Sequence, residues 1–365
     1  MRDHDEPHAN PTLAPDADCP PGEVETPAFV IHEDAVMANL EKTLVACGGP
    51  TRLMPHVKTH RAPWVVAALR RAGIETFKTA TVAEVEMVAR CGAKNVTLAY
   101  PTVNPANVAR FISCAAANPG TTFVGMVDSE HGLGVWRTQL ETAPHNILMR
   151  VDLDPAFGRT GAPMTEAAVD LARGLHEMRR FLGWHLYDGH VHGSLPERRA
   201  RVAAEAEAVR GLDARLAAFG ISGDLVAGGS YTFDLWSAEG ARFVSPGSWT
   251  YSSAMHDRDL GHLAWQPAAF VLSTVISAHD GTVTLDAGSK AIAPDKPLKT
   301  RFPVDGEICL MSEEHAVLRT AGLAVGDRVL LVPEHACTTA YLYDRAWVRG
   351  RDGGWEVRAQ LGSAR

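Results

Sequence analysis

Between about residues 27 and 250 the chain alternates short apolar runs with longer stretches of helical periodicity, and no other feature narrows its fold as much. The runs are 52–57, 75–78, 95–100, 123–128, 146–153, 181–187, 224–227 and 242–245, eight in all. Between them, 63–71, 81–90, 105–117, 131–142, 164–178 and 197–219 carry apolar residues three and four apart. Gly73, Gly92 and Gly120 follow three of these stretches as helix stops. The runs are too continuously apolar for half-exposed strands, so their sheet must be covered on both faces. Eight such units predict an α/β fold with a (β/α)8 barrel over 27–255, ahead of an open doubly wound sheet. The stretch 29–32, followed by 33–47, is a strand–helix lead-in with no assigned place.

After about residue 255 the texture changes. Short β runs at 270–277, 282–286, 307–311, 328–332, 346–349 and 355–359 are separated by turn residues such as Asp280-Gly281, Asp305-Gly306 and Asp352-Gly353-Gly354. This predicts an antiparallel β domain over 256–365, joined by 1–26. A net charge of −8 argues against a nucleic-acid partner, and no apolar run is long enough to cross a bilayer. The polar stretch 1–25 lacks the basic start and apolar core of a secretion signal. Six cysteines without paired spacing read as reduced thiols. A cytoplasmic protein is the expectation.

Barrel chemistry gathers at the C-terminal ends of the strands. The first run ends at Lys58, in Pro55-His56-Val57-Lys58-Thr59-His60. If burial and neighbouring cations lower its pKa, the amine becomes a nucleophile toward carbonyls; an isolated lysine beside a proline is more often a solvated surface group. The fifth run ends at Arg150-Val151-Asp152, with Arg159 beyond it. The sixth ends at Tyr187-Asp188-Gly189-His190-Val191-His192. Arg159 suits a phenolate or carboxylate, Tyr187 the face of a planar ring, and His190 and His192 acid–base work. A rim salt bridge, strand-end packing and surface histidines are the plainer readings. Gly228, Gly229 and Ser230, with Gly247 and Ser248, follow the last two strands, where this architecture commonly binds phosphate. A phosphate opposite a lysine points to pyridoxal phosphate. Farther on, His335-Ala336-Cys337 places imidazole and thiol two residues apart, on one face of an extended segment, a donor set that suits zinc.

In this order these motifs, with Asp286-Ala287-Gly288-Ser289-Lys290-Ala291 and Glu313-Glu314-His315, resemble the D-threonine aldolase and D-serine dehydratase group, pyridoxal-phosphate enzymes with an alanine-racemase-like barrel. The resemblance spans about 26–344. It implies that Lys58 holds the cofactor, that His335 and Cys337 hold a divalent metal, and that the protein is a homodimer with active sites near the subunit interface. Met54 departs from the arginine common before the Pro-His pair. In the group, aldolases often carry aspartate and dehydratases cysteine where Cys337 stands, which turns the metal toward zinc, ahead of manganese.

The expected activity is a lyase reaction on a β-hydroxy-D-amino acid. The aldolase version, giving glycine and an aldehyde, comes first because His190 and His192 suit a hydroxyl proton. The dehydratase version, giving a keto acid and ammonia, comes next. A racemase would need a second base such as Tyr341 or Tyr343 and would leave His335 and Cys337 without a task. A non-enzymatic vitamin carrier would need no β domain.

Overall fold

The computed structural model describes residues 18–365, which group into two units. One comprises 44–58, 63–247 and residue 365; the other comprises 18–43, 59–62 and 248–364. The chain therefore passes between them more than once. The part of the N-terminal stretch before residue 18 lies outside the described residues.

The lead-in forms strand β1 (Ala28–His32) and helix α1 (Glu33–Cys47). The larger unit then follows as α2 (Pro63–Arg71), β2 (Thr76–Thr79), α3 (Val82–Arg90), β3 (Asn95–Leu98), α4 (Pro105–Ala117), β4 (Thr122–Val127), α5 (Glu130–Leu140), β5 (Ile147–Asp154), β6 (Ala162–Pro163), α6 (Glu166–Glu177), β7 (Phe181–Leu186), α7 (Leu195–Ala217), β8 (Asp224–Ala227), α8 (Phe233–Ala238) and β9 (Phe243–Val244). Its strands pair in parallel in the order β2-β3-β4-β5-β7-β8-β9, with β6 beside β5. The helices start where local chemistry supplies acceptors. Thr81 accepts from Glu84 N while Glu84 accepts from Ala80 N (2.6 Å), and Asn104 caps α4 ahead of Pro105. Gly73 and Gly92 end helices in the left-handed region (φ 87° and 75°), but α4 stops at Asn118, and Gly120 has no such role. Helix α6 packs Val169, Leu171 and Leu175 inward and contacts β5 and β7.

The run 52–57 departs from expectation. Instead of a strand it makes two single parallel bridges, Leu53 to Val244 and His56 to Lys78. Pro55 lies between them and has no N–H to extend a ladder, although its carbonyl accepts from Lys78 N (3.0 Å). The laddered sheet thus stops short of a closed ring, and this segment meets both edge strands, β9 and β2, through single bridges.

The second unit adds α9 (Ala254–Asp259), β10 (Ala269–His279), β11 (Thr282–Leu285), β12 (Gly306–Met311), β13 (Ala316–Thr320), β14 (Arg328–Leu331), α10 (Ala336–Ala340), β15 (Arg345–Arg349) and β16 (Trp355–Ala359). The sheet order is β12-β13-β11-β10-β1-β15-β16, with β14 on β10. The lead-in strand therefore sits inside this sheet, antiparallel to β10 and parallel to β15. Asp280 and Gly281 both take positive φ (48° and 78°), as a two-residue hairpin turn between β10 and β11 requires. Among the described residues no helix is long and apolar enough to cross a membrane.

Candidate active site

Lys58 lies in a short 3-10 turn, Val57–Thr59, and its side chain is exposed rather than desolvated. Its Nζ stands 5.6 Å from the centroid of the Tyr187 ring. Arg159 approaches the same ring at 4.6 Å and Lys78 at 5.4 Å. The ring is held where it is by small neighbours. A Cβ on Gly189 would fall 2.4 Å from Tyr187 ring atoms, and one on Gly229 would fall 2.9 Å from the ring. Glycine is needed at both positions for close approach, not for backbone angle.

Lys78 escaped the sequence reading. It is 2% exposed and donates to Ser245 Oγ (2.9 Å), which donates to Gly228 O (3.0 Å). Burial, then the charge of Lys58, pulls its amine down to about 7 against Asp152. Of the two lysines beside the ring, Lys78 is thus the desolvated one. His185 was also missed. Its Nδ1 meets Asp152 Oδ1 at 2.6 Å, and its Nε2 is buried without a partner. Burial, then Lys78, pushes this imidazole down to about 4, so it is neutral.

The glycine loops are braced internally. Gly229 N donates to Thr232 Oγ1 (3.2 Å), which donates to Asp188 Oδ1 (2.8 Å), while Trp236 Nε1 donates to Asp188 Oδ2 (2.8 Å). Gly247 N donates to Ser230 Oγ (3.4 Å). The amides of Gly229 and Gly247 thus have partners within the loops. His190 stacks on Phe157 (5.0 Å, 16°), its Nε2 faces Arg201 (3.5 Å), and its Nδ1 is buried without a partner. His192 is exposed and packs edge-on against Tyr231.

In the second unit, His335 and Cys337 come together, but not on an extended segment. His335 is the N-cap residue of α10 and Cys337 lies in its first turn. His335 Nδ1 bonds Asp295 Oδ2 (2.6 Å). Burial opposes charge on this imidazole, but Cys337 and then Asp295 outweigh it and hold the group up at about 9. Cys337 Sγ donates to Thr59 Oγ1 (3.3 Å) and lies 3.9 Å from Ser248 Oγ. Asp286 accepts from Ser273 and Thr274, and the loop after it packs on the Glu313-Glu314-His315 turn through Lys290. Those two motifs are scaffolding for one another. Tyr343 Oη donates to Ala291 O (2.9 Å) and Tyr341 Oη to Ser363 O (3.3 Å), so neither phenol is poised as a second base.

The residues present fit both groups that the resemblance implies. Two glycines that admit the Tyr187 ring, three cationic groups around that ring and an orphaned His185 Nε2 suit an anionic, planar cofactor. A carboxylate fixing His335 Nδ1, which leaves Nε2 for an ion, beside a thiol, is the usual support for a metal-binding histidine. Among the described residues, no group of three or more His, Cys, Asp or Glu is placed to hold an ion together.

Fold and site together define the alanine-racemase-like class, fold type III of the pyridoxal-phosphate enzymes. The chain belongs to the family described as alanine racemase, N-terminal domain, whose model matches residues 31–254, and residues 268–349 match the putative serine dehydratase domain. It is 26% identical to the D-threo-3-hydroxyaspartate dehydratase of Delftia sp. (strain HT23), over 91% of this chain and 97% of the relative. The crystal structure of D-threonine aldolase from Filomicrobium marinum superposes with a TM-score of 0.82 at 25% identity, covering 92% of this chain and 95% of that one. A variant of a D-threo-3-hydroxyaspartate dehydratase in its metal-free form has the same fold at 20% identity, with a TM-score of 0.77 over 93% of this chain and 98% of that one.

Proposed function

We propose that the protein is a pyridoxal-phosphate- and divalent-metal-dependent lyase acting on β-hydroxy-D-amino acids. The observation that carries this reading is the Tyr187 ring with Lys58, Lys78 and Arg159 around it, in a chain whose two matched regions are those of the alanine racemases and serine dehydratases. When bound, pyridoxal phosphate supplies an aldehyde that condenses with amines and a ring that delocalises negative charge from Cα. Lys58 would hold it through that aldehyde. Tyr187 would carry the ring, Arg159 would face its oxygen substituents, and the loops at Gly228-Gly229-Ser230 and Gly247-Ser248 would hold its phosphate. His335 and Cys337 would hold the ion, zinc ahead of manganese, and the ion supplies a Lewis acid for the β-hydroxyl.

Of the two bond cleavages, the site favours elimination of water. It needs a base at Cα, and the exposed amine of Lys58 can take that proton once a substrate amine has replaced it. The aldol cleavage needs a base for the β-hydroxyl proton. His190, stacked on Phe157 with Nε2 toward Arg201, makes a poor one. His192 is the remaining candidate for that role. Cys337, in place of the aspartate frequent in aldolases, points the same way. A homodimer, as the resemblance implies, is part of the proposal.

The test is a product assay with D-threonine, D-serine and D-threo-3-hydroxyaspartate, with pyridoxal phosphate and zinc or manganese supplied. Keto acid and ammonia support elimination. Aldehyde and glycine restore the aldolase, and turnover that survives a chelator removes the metal from the proposal. Condensation with loss of water followed by borohydride reduction should leave a phosphopyridoxyl group on the Lys58 amine. A label elsewhere refutes that assignment.

A further inference from the structure

Lys78 has no task in the chemistry above, yet it is among the most costly groups in the molecule to bury. Its side chain is 2% exposed and its one hydrogen bond goes to Ser245 Oγ (2.9 Å). Asp152 and then Asp188 favour its charge from a distance, but their hydrogen bonds go to other groups. Asp152 bonds His185 (2.6 Å) and Thr160 (3.0 Å), and Asp188 bonds Thr232 and Trp236. A buried ammonium with no carboxylate in contact among the described residues costs several kcal/mol, so such a group either sheds its proton or meets an anion. Lys58 and Arg159, which share the Tyr187 ring with it at 5.6 and 4.6 Å, add to the deficit of negative charge. The bond through Ser245 to Gly228 O ties Lys78 to the loop proposed for phosphate.

We propose that Lys78 is a proton-linked counter-cation of this site, taking up a proton from solvent as a phosphorylated, anionic ring compound enters and returning it when that ligand leaves. The inference rests on the cofactor reading above. The titratable and charged groups facing Lys78 are Lys58, Arg159, Asp152, Asp188, His56 and His185. Burial holds both imidazoles neutral, so neither takes the proton near neutral pH. With its amine pulled to about 7, Lys78 carries about half a charge at pH 7, and an entering anion restores the remainder.

The experiment uses the full-length apoprotein and pyridoxine 5′-phosphate, whose alcohol cannot condense with an amine. Calorimetric titrations in buffers of different ionisation enthalpy, from pH 7 to 8.5, count the protons exchanged. The probe's phosphate is already mostly doubly ionised in this range. Wild type should take up about half a proton at pH 7, rising toward about one at pH 8.5, and its affinity should fall by up to about tenfold per pH unit relative to Lys78→Arg. Lys78→Arg, permanently charged, should bind without this uptake. Lys78→Met should bind at least about tenfold more weakly at pH 7. Equal uptake and equal pH slope in wild type and Lys78→Arg overturn the inference while leaving the cofactor reading intact. Wild-type binding with no proton uptake overturns it equally, and that measurement requires no variant to fold. Absence of wild-type binding to the probe refutes the cofactor reading, and the inference with it.

Discussion

Replacing Asp188 separates the bracing of the glycine loop from its charge. The carboxylate is 1% exposed and accepts from Thr232 Oγ1 and Trp236 Nε1, both at 2.8 Å. Asp188→Ala leaves an indole N–H and a hydroxyl buried without an acceptor, each costing about 1–3 kcal/mol. Removing a buried charge returns part of this, because burial already pushes the Asp188 carboxyl upward. The net loss should be about 2–4 kcal/mol, or roughly 5–15 °C in the melting temperature of a unit this size. Asp188→Asn keeps the shape. Its oxygen can accept from Trp236 and its amide can donate to Thr232 Oγ1 beside Gly229 N, which leaves the Thr232 O–H as the one group that loses its acceptor. The asparagine variant should therefore lose about 1–2 kcal/mol, less than alanine because the Trp236 indole keeps its acceptor. Thermal unfolding followed by circular dichroism, with pyridoxine 5′-phosphate affinity on the same samples, checks both. Alanine also frees Gly229 N and its loop through Thr232, so affinity should fall with stability in that variant only. An alanine variant melting within about 2 °C of wild type, or an asparagine variant as damaged as alanine, would refute the bracing argument.

Three further outcomes follow from the same geometry. Glu205 is buried, and burial followed by the Asp188 charge pushes its carboxyl up to about 7. The folded state then holds a proton that the unfolded state has released, so this group costs up to roughly 3 kcal/mol as pH rises from about 4.5 through 7. Glu205→Gln should flatten that part of the stability–pH curve measured in urea, and an unchanged slope rejects the assignment. Asp295→Ala removes the acceptor at His335 Nδ1 (2.6 Å) and should weaken metal binding about 10–100-fold in competition with a chelating dye; unaltered affinity means His335 is not a ligand. Gly189→Ala places a Cβ 2.4 Å from the Tyr187 ring, which must swing away. Stability should change by less than about 1 kcal/mol, since the ring is the end of a movable side chain, while pyridoxine 5′-phosphate binding falls at least about tenfold. Unchanged binding removes Tyr187 from the site.

What could be read from the sequence divides along the range of the interactions involved. Helices α2 and α4 span the residues that their apolar spacing marks, and Asn104-Pro105 announces the start of α4, because those signals lie within one turn. Strand β13 was hidden behind Glu313-Glu314-His315, and β1 could not be placed because its partners β10 and β15 are more than two hundred residues away. The site follows the same rule. Lys58 is announced by the local pattern Pro55-His56-Val57-Lys58, whereas Asp295 reaches His335 from forty residues upstream with nothing in either segment to mark it. Nor could His335 and Cys337 be seen to meet through a helix cap, since an extended segment would bring them together as well. Lys78 is a different kind of omission. Strand-end residues stand out at the first run and at the fifth to eighth, but the second run also ends in a charged residue, in a strand buried throughout. A sheet covered on both faces gives no alternation of polar and apolar positions to sort inward from outward. In such a strand a lysine at any position lacks an easy route to water, and desolvation alone makes it a candidate for the site before any partner is known.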